Sequence, residues 1–444
     1  MLKSTYRRSG SVRPADPVRI IKIHDRTVPI SRYSDPATPA GNLTTTALAL
    51  LTDFRMNGDP VVGFGFTSIG RFGQSGLIQE RFAPRLLAAT ENELAGADGP
   101  IDPERAWKCL MRDEKPGGHG ERCVAVGALD MALWDIAAKI AGKPLYRFLR
   151  DRLGRTGTGN RVAVYAGGGY YFESHDSERL KEEVRRFLDL GYTKIKIKIG
   201  GRPLAKDIAR IEAVLSLLPN GGCLAVDAMN RYTTRDALET AKTLEPYSLR
   251  WFEDICDPQD FETNRRIAEA YRGALAAGEA IFSLADARNL LRYAGLRTNH
   301  DVLVFDPAHC YGLPEFLRII EAFEAAGWSR TAFQPQGAIY SLCRSQPGWI
   351  SGEAKEILII FNRSVDFRMT LWFKKVSSRC RNPRESDSRH AQAFANSFNP
   401  WLWVHKAISA VTHRRCSKKT TAGNWAPFVR LYQFVNASKN AISG

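Results

Sequence analysis

The sequence predicts an α/β protein in which an α+β segment leads into a parallel strand–helix barrel that lacks its last strand. Two observations carry this reading. From about Arg161 to Pro335, seven short apolar runs alternate with segments of helical spacing: VAVYAGG, TKIKIKIG, CLAVDA, LRWFED, ALAAGE, VLVFDP and TAFQP. Polar or acidic residues end these runs at regular intervals: 29 residues from Lys198 to Asp227, 26 to Glu253, 26 to Glu279, 27 to Asp306 and 30 to Gln336. One βα unit takes about that length, so one face of the barrel receives one functional group per unit. In such barrels the strand C-termini form the mouth where chemistry occurs.

From Val18 to about Arg150 the pattern is α+β. VRIIKIHDRTVPI reads as an opening strand, and VVGFGFTSIGRFGQSG as a strand followed by a glycine-rich loop. A long helix follows from about Cys123 to Ala141, with Val126, Leu129, Leu133, Ile136 and Ile140 at helical spacing and Gly142 placed to end it. Before it, EKPGGHGE reads as a mobile loop carrying Lys115, His119 and Glu121. RLKEEVRRFLDLGY and ALETAKTLEPY carry helical spacing between the later strands.

Composition excludes several classes. With 44% hydrophobic and 25% charged residues the chain has the balance of a soluble globular protein, and no apolar run approaches the roughly 18 residues that span a bilayer. Residues 1–17 are basic and polar without an apolar core, which reads as a disordered leader and not a secretory signal. Eight cysteines without a C-x-x-C pair read as reduced thiols of a cytoplasmic protein. The net charge of +16 is uneven: Met1–Gln336 holds 46 Lys+Arg against 42 Asp+Glu, and Gly337–Gly444 holds 17 against 5. The last stretch also has five of nine tryptophans and no sustained periodicity. It reads as a basic tail foreign to the barrel. Nucleic acid and membrane are not expected as partners.

Asp227, Glu253 and Glu279, brought together at one mouth, repel one another and lose solvent, which raises their pKa values. A hard dication relieves this, and magnesium suits because it takes carboxylate oxygens and keeps positions for substrate oxygens. Lys194, Lys196 and Lys198 alternate with Ile195, Ile197 and Ile199, so period two sends the lysines into the barrel and the isoleucines out to the helices. Burial and a nearby metal lower a lysine pKa, which makes a neutral amine available as a base. One carboxylate at a strand end is most often a helix cap, and one lysine-rich strand is most often an exposed edge. Four groups in register across successive units fit neither. Cys256, His309 and Cys310 have no partner spacing and read as structural residues, whereas Arg71, Gln74, Lys115 and His119 are loop candidates for substrate contact.

These residues resemble the enolase superfamily, in its mandelate racemase group. The marks are Lys196-Ile197-Lys198, then Asp227, Glu253 and Glu279, and the helix ALDMALWDIAAKIAGKPLY. GRFGQSGLIQERFA, EKPGGHGERCVAVGALDMALWD, KIKIGG, DARNLLRY and the end of VFDPAHCYGL are similar to the D(−)-tartrate dehydratases of that group. The likeness covers about residues 18–336. It implies a capping domain over 18–150, a modified TIM-type (β/α)7β barrel over 151–336, Mg2+ as cofactor and a hydroxy-acid substrate. It also implies assembly as a homo-oligomer. By the same resemblance Lys198 removes an α-proton, Lys196 holds the substrate carboxylate, and the metal stabilises the enediolate. A histidine after the seventh strand, oriented by Asp306, then protonates the departing hydroxyl, and the enol product tautomerises to oxaloacetate.

The family pattern at that point is Pro-His-Gly-Gly-His, and this chain has Pro335-Gln336-Gly337-Ala338-Ile339. Asp254 also stands in place of a glutamate, Ala280 in place of an asparagine, and Met229-Asn230 in place of Asn-Gly. The genetic code offers a test. Gln336 is encoded CAR; one pyrimidine restored after CA turns it into histidine, and the permitted translations onward to Ile350 include GGHLFSLQIATGLD. Continued into Met369, they include LGGSE, NPD and FQPFGGFPD, separated by single ambiguous residues. The tail therefore reads as the product of a frame shift at Gln336, with the acid histidine and last strand lost and activity impaired. Other readings are a dehydratase or racemase of another acid sugar, a catalytically dead protein, or a nucleic-acid-binding protein with a basic tail.

Overall fold

In the computed structural model three strands, β1 (Ile20–Pro29), β2 (Thr44–Met56) and β3 (Asp59–Phe66), form an antiparallel sheet in the order β1-β2-β3. The structure describes residues 18–29, 44–56, 58–67, 71–97, 99–154 and 164–335. The leader, the basic tail and Gln336 lie outside them. β2 had no counterpart in the sequence reading, because its apolar run lacks the alternation that marks a half-buried strand.

Helix α1 (Glu121–Ile140) packs on this sheet. It bears out the predicted helix, yet it is buried on every side from Cys123 to Ala138, not along one stripe. A helix apolar all round belongs in a core, and here β3 covers one side and the turn around Ala308 covers another. Contact with β3 is backbone on backbone, since a Cβ on Gly63 would sit 2.1 Å from the carbonyl oxygen of Ala132. Asp135 on α1 accepts from the Phe64 N–H at 2.9 Å and pairs with Lys139 at 2.6 Å. Gly142, at φ 63°, ends the helix as its sequence position predicted.

The second half is a parallel sheet with strand order β4 (Ala166–Gly168), β5 (Ile195–Lys198), β6 (Leu224–Asp227), β7 (Trp251–Glu253), β8 (Leu275–Ala277) and β9 (Val302–Leu303). Helices alternate with them: α2 (Asp176–Asp189), α3 (Leu204–Leu215), α4 (Thr234–Leu244), α5 (Phe261–Ala270), α6 (Leu284–Tyr293) and α7 (Leu313–Ala325). Thr233, Asp260 and Ser283 cap α4, α5 and α6 by accepting from backbone N–H groups one turn in. The seventh predicted run, TAFQP, reaches the sheet through a single parallel bridge, Leu303 to Phe333, with the Gln334 N–H donating to Leu303 O at 2.8 Å. Among the described residues no pairing closes β4 onto the far edge.

Strand alternation sorts Lys196, Lys198 and the three isoleucines as the sequence predicted. Ile195, Ile197 and Ile199 are fully buried among Leu180, Val184, Ile211 and Val214 of the helices. Burial of each contributes about 1.5–3 kcal/mol. On the other side of the sheet, Ala225, Trp251, Ala276 and Val304 form a separate apolar cluster. Lys196 and Lys198 stand on that side. No helix among the described residues is long and apolar enough to cross a membrane.

Candidate metal centre and active site

Register builds the site. Parallel pairing sets Lys198 beside Asp227, and Asp227 beside Glu253, on adjacent strands. Main-chain pairing therefore decides which groups meet, and side-chain rotamers only finish the approach. Oxygens of Asp227, Glu253, Asp254 and Glu279 all lie within 4.8 Å of one another. The sequence singled out three of these four carboxylates as ligands.

Asp254 is the addition. It follows Glu253 directly, and strand alternation would send it to the opposite face. The backbone prevents that: Asp254 adopts φ 47°, and the Asn230 N–H donates to its carbonyl at 2.6 Å. Met229 and Asn230, after β6, also have left-handed φ values of 54° and 56°. Such conformations cost about 1–3 kcal/mol each for non-glycine residues and cluster where function needs them. The Met229 N–H donates to Asp227 Oδ1 at 2.8 Å, so the turn after β6 orients a carboxylate as it bends.

Two lysines compensate the acidic cluster. Lys196 Nζ pairs with Glu253 Oε1 and lies 3.3 Å from Asp227 Oδ2, while Lys198 Nζ pairs with Asp227 Oδ2. Trp251 Nε1 donates to the second Glu253 oxygen at 2.6 Å. The ring of Tyr165 lies 5.7 Å from the Lys196 ammonium, and that of Tyr170 lies 5.5 Å from the Lys198 ammonium. Neither tyrosine was singled out from the sequence; an aromatic residue flanking a strand has no signature separating wall from core.

Charge follows geometry. Burial works against ionising Asp227, yet Lys198 and Lys196 overcome it and hold its carboxyl at about 2. Burial pushes Glu253 up to about 7 against the pull of Lys196. Asp254 is raised well above the usual carboxylate range by burial, then by the charges of Asp227 and Glu279. Burial disfavours the Lys198 ammonium, but Asp227 outweighs it and the pKa is raised. Lys196 is raised likewise, with Glu253 the leading charge against burial. With no cation at the cluster, Asp227 and Glu253 hold both lysines protonated. An acidic cluster packed this closely, with ammonium groups against it, is a donor set for a hard cation.

Lys194, the third lysine of the strand, is not in the cluster. Its Nζ lies 3.3 Å from Gly222 O and from Cys223 Sγ, next to the start of β6. Asp306, three residues past β9, is buried, and burial pushes its carboxyl up to about 6 against the opposing pull of His309. His309 packs beside it, 3.8 Å from Asp306 Oδ2. It is buried, its Nδ1 lies 2.7 Å from Glu279 O, and its Nε2 has no hydrogen-bond partner among the described residues.

The loop candidates divide. Arg71 lies over the Phe282 ring at 5.0 Å, and its charge reaches Asp306, which places it at the rim. It also pairs with Glu121 at 3.4 Å, and Gln74 donates to the same carboxylate. His119 Nδ1 meets the Tyr311 hydroxyl at 3.1 Å, on the turn that carries Asp306. Lys115 is exposed, with no side-chain link to the cluster among the described contacts. Its loop, read as mobile from the sequence, is tied down by Arg122, which donates to the carbonyls of Lys115 and Gly117 and pairs with Glu114.

Comparison with known proteins agrees with this geometry. A family model described as Enolase C-terminal domain-like matches residues 179–342. Arabinonate dehydratase of Saccharolobus solfataricus is 28% identical over 285 residues, covering 63% of this chain and 71% of the relative. The 3,6-anhydro-alpha-L-galactonate cycloisomerase of Streptomyces coelicolor is 30% identical over 261 residues, covering 57% and 68%. The crystal structure of L-talarate dehydratase from Polaromonas sp. JS666, complexed with Mg and L-glucarate, superposes with a TM-score of 0.55 at 25% identity, covering 72% of this chain and 81% of that one. Fold, acidic cluster and sequence likeness agree, and the chain belongs to the enolase superfamily.

Proposed function

We propose that this chain is built as a magnesium-dependent dehydratase of a hydroxy diacid, with D(−)-tartrate as substrate and oxaloacetate as product. The capping part would span residues 18–150 and the barrel part 151–336. One observation carries the reading: Lys198 stands against Asp227 on paired strand ends, beside three further carboxylates. Dehydratases of acid sugars among the relatives, and magnesium with an acid sugar in a similar structure, support the class.

Asp227, Glu253 and Glu279 are the proposed ligands, and Asp254 faces the same point. Bound magnesium would supply positive charge to the substrate carboxylate as an α-proton leaves. The chain's own groups do the rest. Lys198, once its hold on Asp227 is broken, is placed to take the α-proton. Lys196, between Glu253 and Asp227, keeps a positive charge against the same carboxylate. Loss of the β-hydroxyl as water needs a proton donor, and Asp306 lies at the strand end from which such a donor would be oriented.

We further propose that the donor histidine belongs at position 336 and was lost with one nucleotide. The change of charge after Gln336 and the restored reading His-Gly-Gly-His support this. Dehydration would then be severely slowed, whereas exchange of the α-proton, which needs Lys198 and the metal only, would persist. The test uses the purified chain with Mg2+ and D-tartrate, beside a version with the base restored. Oxaloacetate from the restored version alone supports the reading; robust turnover by the chain as it stands overturns it.

A further inference from the structure

Three carboxylate residues sit on neighbouring units of the barrel, but their main chains are not held alike. Asp227 and Glu253 are the last residues of their strands, and the sheet fixes both. The Ile199 N–H donates to Asp227 O at 2.8 Å, and the Ala228 N–H to Glu253 O at 2.9 Å. Glu279 is two residues beyond the end of β8 and follows Gly278, whose φ is 126°. The ladder bond from the Val304 N–H stops at Ala277 O, 3.0 Å away. A side chain takes over where the ladder ends: His309 Nδ1 lies 2.7 Å from Glu279 O, across 30 residues of sequence.

A carbonyl oxygen only accepts, so Nδ1 carries the proton. The ring is held on other sides as well. Phe282 lies against it at a tilt of 38°, with 5.7 Å between centroids, and Arg71 covers Phe282 in turn. Only 1% of the His309 side chain is exposed, and Nε2 stands 3.8 Å from Asp306 Oδ2, beyond hydrogen-bond reach. One ring thus spans the gap between the turn after β8 and the turn after β9.

We propose that His309 is a positioning residue for the metal centre: its Nδ1–H holds the Glu279 main chain where the sheet no longer does, and the cation affinity of the site depends on that bond. The proposal rests on the reading of Asp227, Glu253 and Glu279 as ligands. Groups that orient a ligand residue typically change metal affinity by about 10–100-fold when removed.

Two variants separate the hydrogen bond from the volume of the ring. His309→Asn places an amide N–H near Nδ1, and His309→Gln places one near Nε2. The full chain and each variant are titrated with Mn2+ by electron paramagnetic resonance and with Mg2+ by calorimetry, and melted without metal. The expected result is a parent that binds, a His309→Asn variant within about threefold of it, and His309→Gln and His309→Ala variants weaker by about 10–100-fold. The metal-free melting temperatures of the Asn and Gln variants should match. Equal Mn2+ affinity in the parent and His309→Gln overturns the proposal, and so does an equal loss in the Asn and Gln variants, which marks a packing role. If His309→Ala does not fold, the Asn and Gln pair still decides. A parent that binds neither ion overturns the ligand reading itself.

Discussion

The Lys198 ammonium lies against Oδ2 of Asp227, on the strand ends that parallel register places side by side. A dication that takes the Asp227 oxygens must displace this partner and then repels the ammonium it has freed. Metal uptake at about pH 8 should therefore release protons, largely from Lys198. Calorimetry in buffers of different ionisation enthalpy counts them. Lys198→Met should release fewer protons per Mg2+ bound; an unchanged count would show that the lysine is not coupled to the cation.

If Lys198 is the base, deuterium from solvent should enter the α-position of D-tartrate in the presence of Mg2+, independently of oxaloacetate formation. Proton NMR follows the loss of the α-signal. Lys198→Ala should slow the exchange by at least about 100-fold, the range in which a general base operates. Exchange that continues in this variant would assign the base elsewhere.

What was legible in the sequence was whatever repeats. Lys198, Asp227, Glu253 and Glu279 recur once per βα unit, and the structure brings all four to one mouth. Helix α1 was legible from its apolar spacing and Gly142, though burial on all sides needed the sheet and the Ala308 turn to be seen. Asp254 was missed because alternation assumes extended backbone, and its φ of 47° breaks that assumption. The His309 contact with Glu279 was not legible because its partner is a main-chain carbonyl, which leaves no mark in sequence. Lys194 was assigned inward by period two, but it lies one residue before β5, where its ammonium reaches Gly222 O.

Asp306 gives the stability a sign that depends on pH. Burial pushes its carboxyl up to about 6 from 3.8, against His309 and the Ala308 N–H, so the folded chain holds this proton more tightly than the unfolded one. Its stabilising contribution is complete below the unfolded pKa and fades as pH rises through about 6, with an upper size of about 3 kcal/mol. Asp227, held at about 2, works in the opposite sense as pH falls below its unfolded value of 3.8. Urea denaturation without metal at about pH 4 and about pH 6.5 should show a smaller difference for Asp306→Asn than for the parent. An identical difference would place the titration on another group.

Gly127 sets two well-known effects against each other. It lies inside α1, where replacing glycine by alanine ordinarily stabilises by about 1 kcal/mol. Here a Cβ would stand 2.2 Å from the carbonyl oxygen of Ala308 and 3.0 Å from its Cα, so both sides of the contact are backbone. Neither can rotate away. The turn that would have to shift also binds Asp306 Oδ1 through the Ala308 N–H and carries His309. Overpacking of this kind costs about 1–3 kcal/mol, which exceeds the gain in helix propensity. Gly127→Ala should therefore lower the urea midpoint and weaken Mn2+ binding together, because one displaced turn serves both. A variant more stable than the parent would show that α1 does not press on this turn.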